Sequence, residues 1–210
     1  MSEHNASIIQ IKRGLIAYPQ GSKLYLNVTN SCSLRCRFCP KFTGSWRIGG
    51  HYLRLATEPE LDEILAVVGG PRNYDEVVFS GLGEPTMRLY TVLEAGKELR
   101  RLGGYVRLET DGLANLRFGR DITPDLEGNI DALSVSIQAA NETIYNEHCR
   151  PKRLHCHAAA LDFADLARDY VPSITLTAIK GLAGVDIPAC EATAEAFGVN
   201  FHKRNLGTID

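Results

Sequence analysis

The sequence predicts an α/β fold in which six βα units form an open partial barrel. Three observations predict it. Strand-like segments near residues 23, 76, 105, 132, 173 and 199 alternate with helical segments, the order that builds a parallel sheet. Cys32, Cys36 and Cys39, then Glu84, Asp111, Ser136, Gln138 and Lys180, all fall at or near the C-terminal ends of such strands, where barrels carry their ligand loops. The fourth strand, residues 132–138, alternates Leu133, Val135 and Ile137 with Ser134, Ser136 and Gln138. One of its faces therefore meets helices and the other a polar interior.

Taken in order, residues 8–11 and 14–18 read as a short strand pair. That sets residues 1–22 apart as an N-terminal strand pair before a partial-barrel region over 23–210, one domain in all. Pro19-Gln20-Gly21 turns the chain into the first main strand, residues 23–29. A loop follows that holds three of the six cysteines as C-x3-C-x2-C. Chance placement of six cysteines in 210 residues would give this triple about 0.005 times, so the spacing needs a cause. Residues 41–55 read as a loop with Lys41, Trp46, Arg47, His51 and Arg54, close after Arg35 and Arg37. This is either a basic lid over an anionic substrate or a solvated loop anchored by Trp46.

Thr57-Glu58-Pro59-Glu60 reads as a capping box, and Leu61, Ile64, Leu65 and Val68 mark one helical face that Gly69 ends. Residues 76–80 are a buried parallel strand that opens into Gly81-Leu82-Gly83-Glu84-Pro85. Glycines there let backbone approach a ligand, and a carboxylate can accept from an amine. Leu89, Val92, Leu93, Gly96 and Leu99 form the next helix. Residues 105–110 are the third strand, running into Asp111-Gly112, where Asp111 is equally a turn former. A helix over 141–150 ends before Pro151, and Arg150 can pair with a carboxylate or sit on the surface at the helix end. His148, Cys149, His155, Cys156 and His157 fit no common metal spacing. A long helix over about 154–170, with Leu161, Ala164 and Leu166 inward, leads to a fifth strand at 173–179. Asp186 caps a last helix and residues 199–203 are a sixth strand.

Three thiolates on a loop leaving a strand form a metal site. A closed zinc site takes four ligands, whereas a 4Fe–4S cube held by three cysteines keeps one iron open for a chelating ligand. The triple, with Phe38 just before its third cysteine, resembles the cluster loop of the radical S-adenosylmethionine (SAM) superfamily. Gly81-Leu82-Gly83-Glu84-Pro85 resembles the GGEP motif of that superfamily, with Leu82 inserted. Thr177-Ala178-Ile179-Lys180-Gly181 partly matches its GxIxGxxE motif, through Ile179 and Gly181. The resemblance implies an open (βα)6 partial TIM barrel of the radical SAM type. It implies that Cys32, Cys36 and Cys39 hold a 4Fe–4S cluster, and that reductive cleavage of SAM yields a 5′-deoxyadenosyl radical. SAM contacts are implied for Phe38, Gly81, Gly83, Glu84, Asp111, Ser136, Gln138, Arg150 and Ile179. An external electron donor and a substrate, anionic or a protein, are implied as partners. Over residues 23–204 the chain is most similar to the short TatD-associated members, which makes a TatD-type nuclease an expected associate. Glycyl-radical-enzyme activases and 7-carboxy-7-deazaguanine synthases are the competing relatives. A non-catalytic metal- or redox-sensing module is the reading from another class.

The net charge of −2 argues against a broad nucleic-acid-binding surface. No apolar run reaches membrane-spanning length, and residues 1–10 lack the apolar core of a secretory leader. A cytoplasmic protein with no membrane partner is expected, with its cysteines used for metal binding rather than stapling.

Overall fold

The computed structural model describes residues 14–206. Strand β1 (Ala17–Gln20) pairs antiparallel with β2 (Lys23–Asn27), Ala17 opposite Leu26 and Gln20 opposite Lys23. The first strand expected, residues 8–11, lies outside the described residues. Pro19 and Gln20 were expected in a turn but belong to β1. An edge strand tolerates Pro because one side of it needs no donor. The reversal comes at Gly21, whose φ of 57° suits glycine.

From β2 onward the main sheet is parallel: β5 (Glu76–Ser80), β6 (Val106–Thr110), β7 (Ala132–Ser136), β8 (Ser173–Lys180) and β9 (Asn200–Asn205). Strand order follows chain order, β1-β2-β5-β6-β7-β8-β9, so each crossover adds its strand beside the last. Six parallel strands laid down this way, helices between them, curl into a half barrel. Where a plain loop was expected, β2 is followed by a short helix α1 (Pro40–Thr43) and a hairpin of β3 (Arg47–Ile48) and β4 (His51–Tyr52).

The remaining helices are α2 (Leu61–Val68), α3 (Leu89–Arg101), α4 (Ala114–Phe118), α5 (Glu142–Cys149), α6 (Cys156–Ala167) and α7 (Ile187–Ala196). Their starts have local causes. The Asn141 side chain accepts from the Ile144 amide at α5, and Asp186 accepts from the Ala189 amide at α7. The capping box of α2 is formed by Glu60 and Glu63, one turn later than the Thr57 box expected, with Pro59 just outside the helix. No helix among the described residues is long and apolar enough to cross a membrane.

The outer faces of the strands supply Leu26, Phe79, Leu108, Leu133, Val135 and Leu176 to one core, and the helices supply Val92, Leu99, Phe163 and Cys190. On α6 the buried stripe is Cys156, Ala160, Phe163, Ala164 and Ala167. Leu166 was expected inward but is 44% exposed. Positions 161, 164 and 166 do not share a face at 3.6 residues per turn, whereas 156, 160, 163 and 167 do.

From β6 to β8 the inner face is polar, as the alternation in β7 predicts, while Tyr18, Tyr25, Leu53, Val78 and Leu82 form a second apolar cluster toward β1, β2 and β5. At its N-terminal end Glu76 is chelated by Arg107, with two nitrogen–oxygen distances of 2.8 Å, and is met by Lys23 at 3.0 Å. These cations, Arg107 first, hold the Glu76 carboxyl down at about 2.

Candidate functional site

The cysteine loop leaves the C-terminal end of β2 and is pinned from three sides. Asn30 closes a two-way clasp with Leu55, its amide donating to the Leu55 carbonyl at 2.7 Å and its oxygen accepting from the Leu55 N–H at 3.0 Å. The backbone amides flanking Cys36 dock on the end of α5, Arg35 donating to the Cys149 carbonyl at 3.0 Å and Arg37 to that of His148 at 2.8 Å. They satisfy two of the carbonyls a helix leaves unpaired at its C-terminus. Cys36 is thereby held against α5, and Cys149 beside it is fully buried.

All three loop cysteines are free thiols and line one cavity of about 200 Å³. Burial pushes Cys32 up to about 12, with Asp111 adding to the effect. The neighbouring Cys149 thiol, then burial, raises Cys36, and burial raises Cys39. Among the described residues no three His, Cys, Asp or Glu side chains converge on one metal-ion position. A single zinc ion needs such convergence. A cube takes each cysteine on a different iron, so its ligands stand apart, and three thiols around a cavity fit that donor set.

The second wall of the cavity is the 81–85 turn. A Cβ on Gly83 would come within 2.1 Å of the Thr29 carbonyl oxygen and 2.9 Å of that of Ser31. Glycine was expected here for approach to a ligand; what demands it is approach to the stem of the cysteine loop. The Glu84 amide completes that contact by donating to the Ser31 carbonyl at 2.8 Å. The Glu84 carboxylate is buried and fully engaged. It accepts from the Thr86 amide and hydroxyl at 3.0 and 2.6 Å, from the Thr110 hydroxyl at 2.7 Å and from the Asp111 amide at 2.7 Å. Burial, then the Asp111 charge, pushes Glu84 up to about 7 against the pull of Arg117 and these donors.

Asp111 does form the turn: its Oδ1 accepts from the Leu113 amide at 2.9 Å. It also ties the turn to the cysteine loop, because its Oδ2 accepts from the Ser33 hydroxyl at 3.1 Å and meets Arg117 at 3.2 Å. Arg117, on α4, donates to Thr86 and Ser33 as well. One buried network thus joins the ends of β5 and β6 to the cysteine loop. The sequence reading missed Arg117 and Ser33, since nothing local marks a partner 84 residues away.

The third wall comes from β7 and β8. The Ser136 hydroxyl shares a hydrogen bond with that of Thr177 at 3.3 Å. Gln138 has a φ of 58°, which strains a non-glycine residue, and is buried with its Oε1 lacking a partner among the described residues. Ser136, Gln138 and Ile179 line the same cavity as Phe38, Gly81, Gly83, Glu84, Asp111 and the three cysteines. Arg150 does not join them. It caps α5 in the left-handed conformation, with φ 49°, and is exposed. The surface reading of that arginine is the one its position matches.

Also in the cavity wall, and missed, are Ser80, Glu109 and Arg204. The Ser80 hydroxyl donates to Glu109 at 2.6 Å and Arg204 approaches Glu109 at 3.9 Å. The sixth strand was expected to stop at 203, which left Arg204 off its inner face; the strand runs on to Asn205. In the His148–His157 cluster, His148 Nε2 bonds the Ala183 carbonyl and His157 Nε2 that of Ala139.

Comparison with known proteins gives one family and a set of folds. The sequence profile described as "Radical SAM superfamily" matches residues 26–195. No curated protein matches the chain. Among solved structures, TYW1 with a lysine-pyruvate adduct bound superposes with a TM-score of 0.62 at 15% identity, over 88% of this chain and 64% of that one. SuiB from Streptococcus suis bound to S-adenosylmethionine gives 0.63 at 14% identity, over 99% and 44%. A radical SAM methyltransferase from Sphaerobacter thermophilus gives 0.54 at 16%, over 90% and 68%. At these identities the likeness establishes the fold, and the chain spans less than two thirds of TYW1 and of SuiB.

Proposed function

The chain belongs to the radical SAM superfamily, and from that premise we propose that Cys32, Cys36 and Cys39 hold a 4Fe–4S cluster beside SAM, in an enzyme that abstracts hydrogen from its substrate. Membership implies the cluster and SAM. When bound, they supply reductive cleavage of the sulfonium to a 5′-deoxyadenosyl radical. The chain's own residues do the rest. The observation that carries the proposal is that one cavity gathers the three cysteines with the strand-end residues of β5 to β8, and that the buried Gln138 oxygen there has no partner among the described residues.

Roles follow from that geometry. The three thiols bind as thiolates and leave one position without a protein ligand. Gln138 Oε1 is an acceptor awaiting a donor, which a ribose hydroxyl supplies. Ser136 offers a second polar contact, and Phe38 and Ile179 offer apolar surface to a purine. Glu84 already accepts four hydrogen bonds, so its part is to fix Thr86, Thr110 and the Asp111 backbone, rather than to grip an amine. Arg150 stands at the end of α5, outside the lining of this cavity. The similarity to TatD-associated members keeps a TatD-type nuclease as a partner to test by co-purification.

The deciding experiment is anaerobic SAM cleavage. The protein is reconstituted with iron and sulfide and reduced with dithionite, and 5′-deoxyadenosine is counted beside a Cys36→Ala variant. Product from the wild type alone is the expected result. Equal product from Cys36→Ala, or tight zinc with no iron uptake, overturns the proposal.

A further inference from the structure

Resting on that reading, we infer that the substrate is a small zwitterion of the α-amino acid type, its carboxylate taken by Arg204 and its ammonium by Glu109. Beyond the residues proposed for the cluster and SAM, the wall of the site cavity includes Ser80, Glu109 and Arg204, with Ile48, Leu82 and Leu206 as apolar neighbours.

The curl of the sheet places the two charges. On β6, Val106 and Leu108 are fully buried in the core under the helices, so Arg107 and Glu109 take the inner face. On β9, Phe201 packs against that core, and Arg204, three residues on, takes the other face opposite Ile179. Two strands, β7 and β8, stand between β6 and β9. In a flat sheet strands so separated lie about 14 Å apart. The Glu109 and Arg204 side chains nonetheless approach to 3.9 Å, so they meet across the concave interior.

They do not close a hydrogen-bonded salt bridge. A separation of 3.9 Å is longer than a hydrogen bond, and Glu109 instead accepts from the Ser80 hydroxyl at 2.6 Å. Among the described residues the Arg204 guanidinium has this one charged neighbour at ion-pair distance and no hydrogen bond. Both side chains are largely withdrawn from water, Arg204 21% and Glu109 14% exposed. Charges held so are stabilised by a ligand that brings the opposite pair.

Spacing selects that ligand. An α-amino acid carries its ammonium and carboxylate about 3 Å apart. Laid with signs crossed against a guanidinium and a carboxylate 3.9 Å apart, it closes a ring of four charges through one charge-assisted hydrogen bond at each end. A simple anion meets Arg204 but is repelled by Glu109, and a simple cation the reverse. Ile48, Leu82 and Leu206 suit an aliphatic side chain. Arg204 comes from the last strand, at the far edge of the sheet from β2 and its cysteine loop. An occupant of the pair therefore lies beside Ile179 rather than against the cysteines.

The test is calorimetry on the reconstituted, unreduced protein with SAM present, using three probes of one carbon skeleton. L-Norleucine carries both charges, hexanoate lacks the ammonium and pentylamine lacks the carboxylate. Norleucine is expected to bind, and each analogue about tenfold more weakly, the effect of one lost charge-assisted hydrogen bond. This ranking is read on the wild type and needs no variant to fold. Two variants then split the pair. Arg204→Gln is expected to weaken norleucine and hexanoate but not pentylamine, and Glu109→Gln to weaken norleucine and pentylamine but not hexanoate. Equal affinity for the three probes, or no norleucine binding by a wild type that binds SAM, overturns this inference alone. So does a loss of SAM affinity in Arg204→Gln by equilibrium dialysis, which would assign that cation to SAM. A wild type that takes up no iron and binds no SAM overturns the proposed function instead, and this inference with it.

Discussion

The two ends of β5 carry two carboxyls, Glu76 half-buried and Glu84 buried, in opposite surroundings. Glu76, at the N-terminal end, faces Arg107 and Lys23 and is held down at about 2. Glu84, just past the C-terminal end, faces backbone amides and hydroxyls beside Asp111 and is pushed up to about 7. Opposite charges solvate the first, so its ionised form stabilises the fold. Four neutral donors and one arginine must hold the second against burial and a like charge. The half barrel thus keeps its compensated charges at one rim and its costly ones at the other. The costly rim is the one with the cysteines, and also with the strained Gln138. That division between a stabilising bottom and a reactive top is the one barrels show generally.

Removing each carboxylate tests the division. Glu84→Ala orphans the Thr86, Thr110 and Asp111 donors and unlinks the 81–85 turn from β6. Stability is expected to fall by about 3 kcal/mol, and iron bound per chain after reconstitution to fall with it. Urea unfolding and iron analysis measure the two. Full iron loading in this variant would show that the network does not shape the cysteine loop.

Glu76→Gln breaks the opposite rim. The drop of its carboxyl to about 2 corresponds to about 3 kcal/mol, which solvent at this half-buried end trims to about 2. Iron content and SAM affinity are expected to stay at wild-type values. A change in either would mean that the two rims are coupled through β5.

Gln138→Ala reverses the pattern. It removes an acceptor that has no partner among the described residues, so stability is expected to hold. SAM affinity, by equilibrium dialysis on the reconstituted protein, is expected to fall about tenfold, the effect of one lost hydrogen bond of roughly 1.4 kcal/mol. A lower melting temperature with unchanged affinity would make Gln138 a structural residue.

The same contrast explains what could be read from the sequence. The sheet was legible because period-two alternation in β7 and apolar runs such as residues 76–80 are local signals. The cysteine triple was legible because its spacing is improbable. The reactive rim's supporting bonds were not. Ser33 meets Asp111 and Arg117 across long separations, and Gly83 is required by the backbone of Thr29, facts that exist only once the strands are side by side. Arg150 shows the converse: its neighbours in sequence reach the cysteine loop through their carbonyls while its own side chain stays exposed.

The smallest expected effect separates the rims by pH. Glu84 titrates near 7 in the native protein and near 4.5 when unfolded, so between those values the native state binds more protons. Stability therefore falls as pH rises from 4.5 to 7 and levels above it. Glu76 contributes the opposite slope, but lower: its stabilisation is complete above 4.5 and is lost only as pH drops toward 2. In the window from 4.5 to 7 Glu84 changes and Glu76 does not. The charges of Asp111 and Arg117 act on Glu84 in opposite senses, and the expected change is about 1 kcal/mol. Denaturant unfolding at several pH values, wild type against Glu84→Gln, isolates the contribution of this one carboxyl. A slope that survives in Glu84→Gln would assign the proton elsewhere. A slope that disappears would show that the strained carboxyl belongs to the rim with the cysteines, and that the fold is more stable when that carboxyl is neutral.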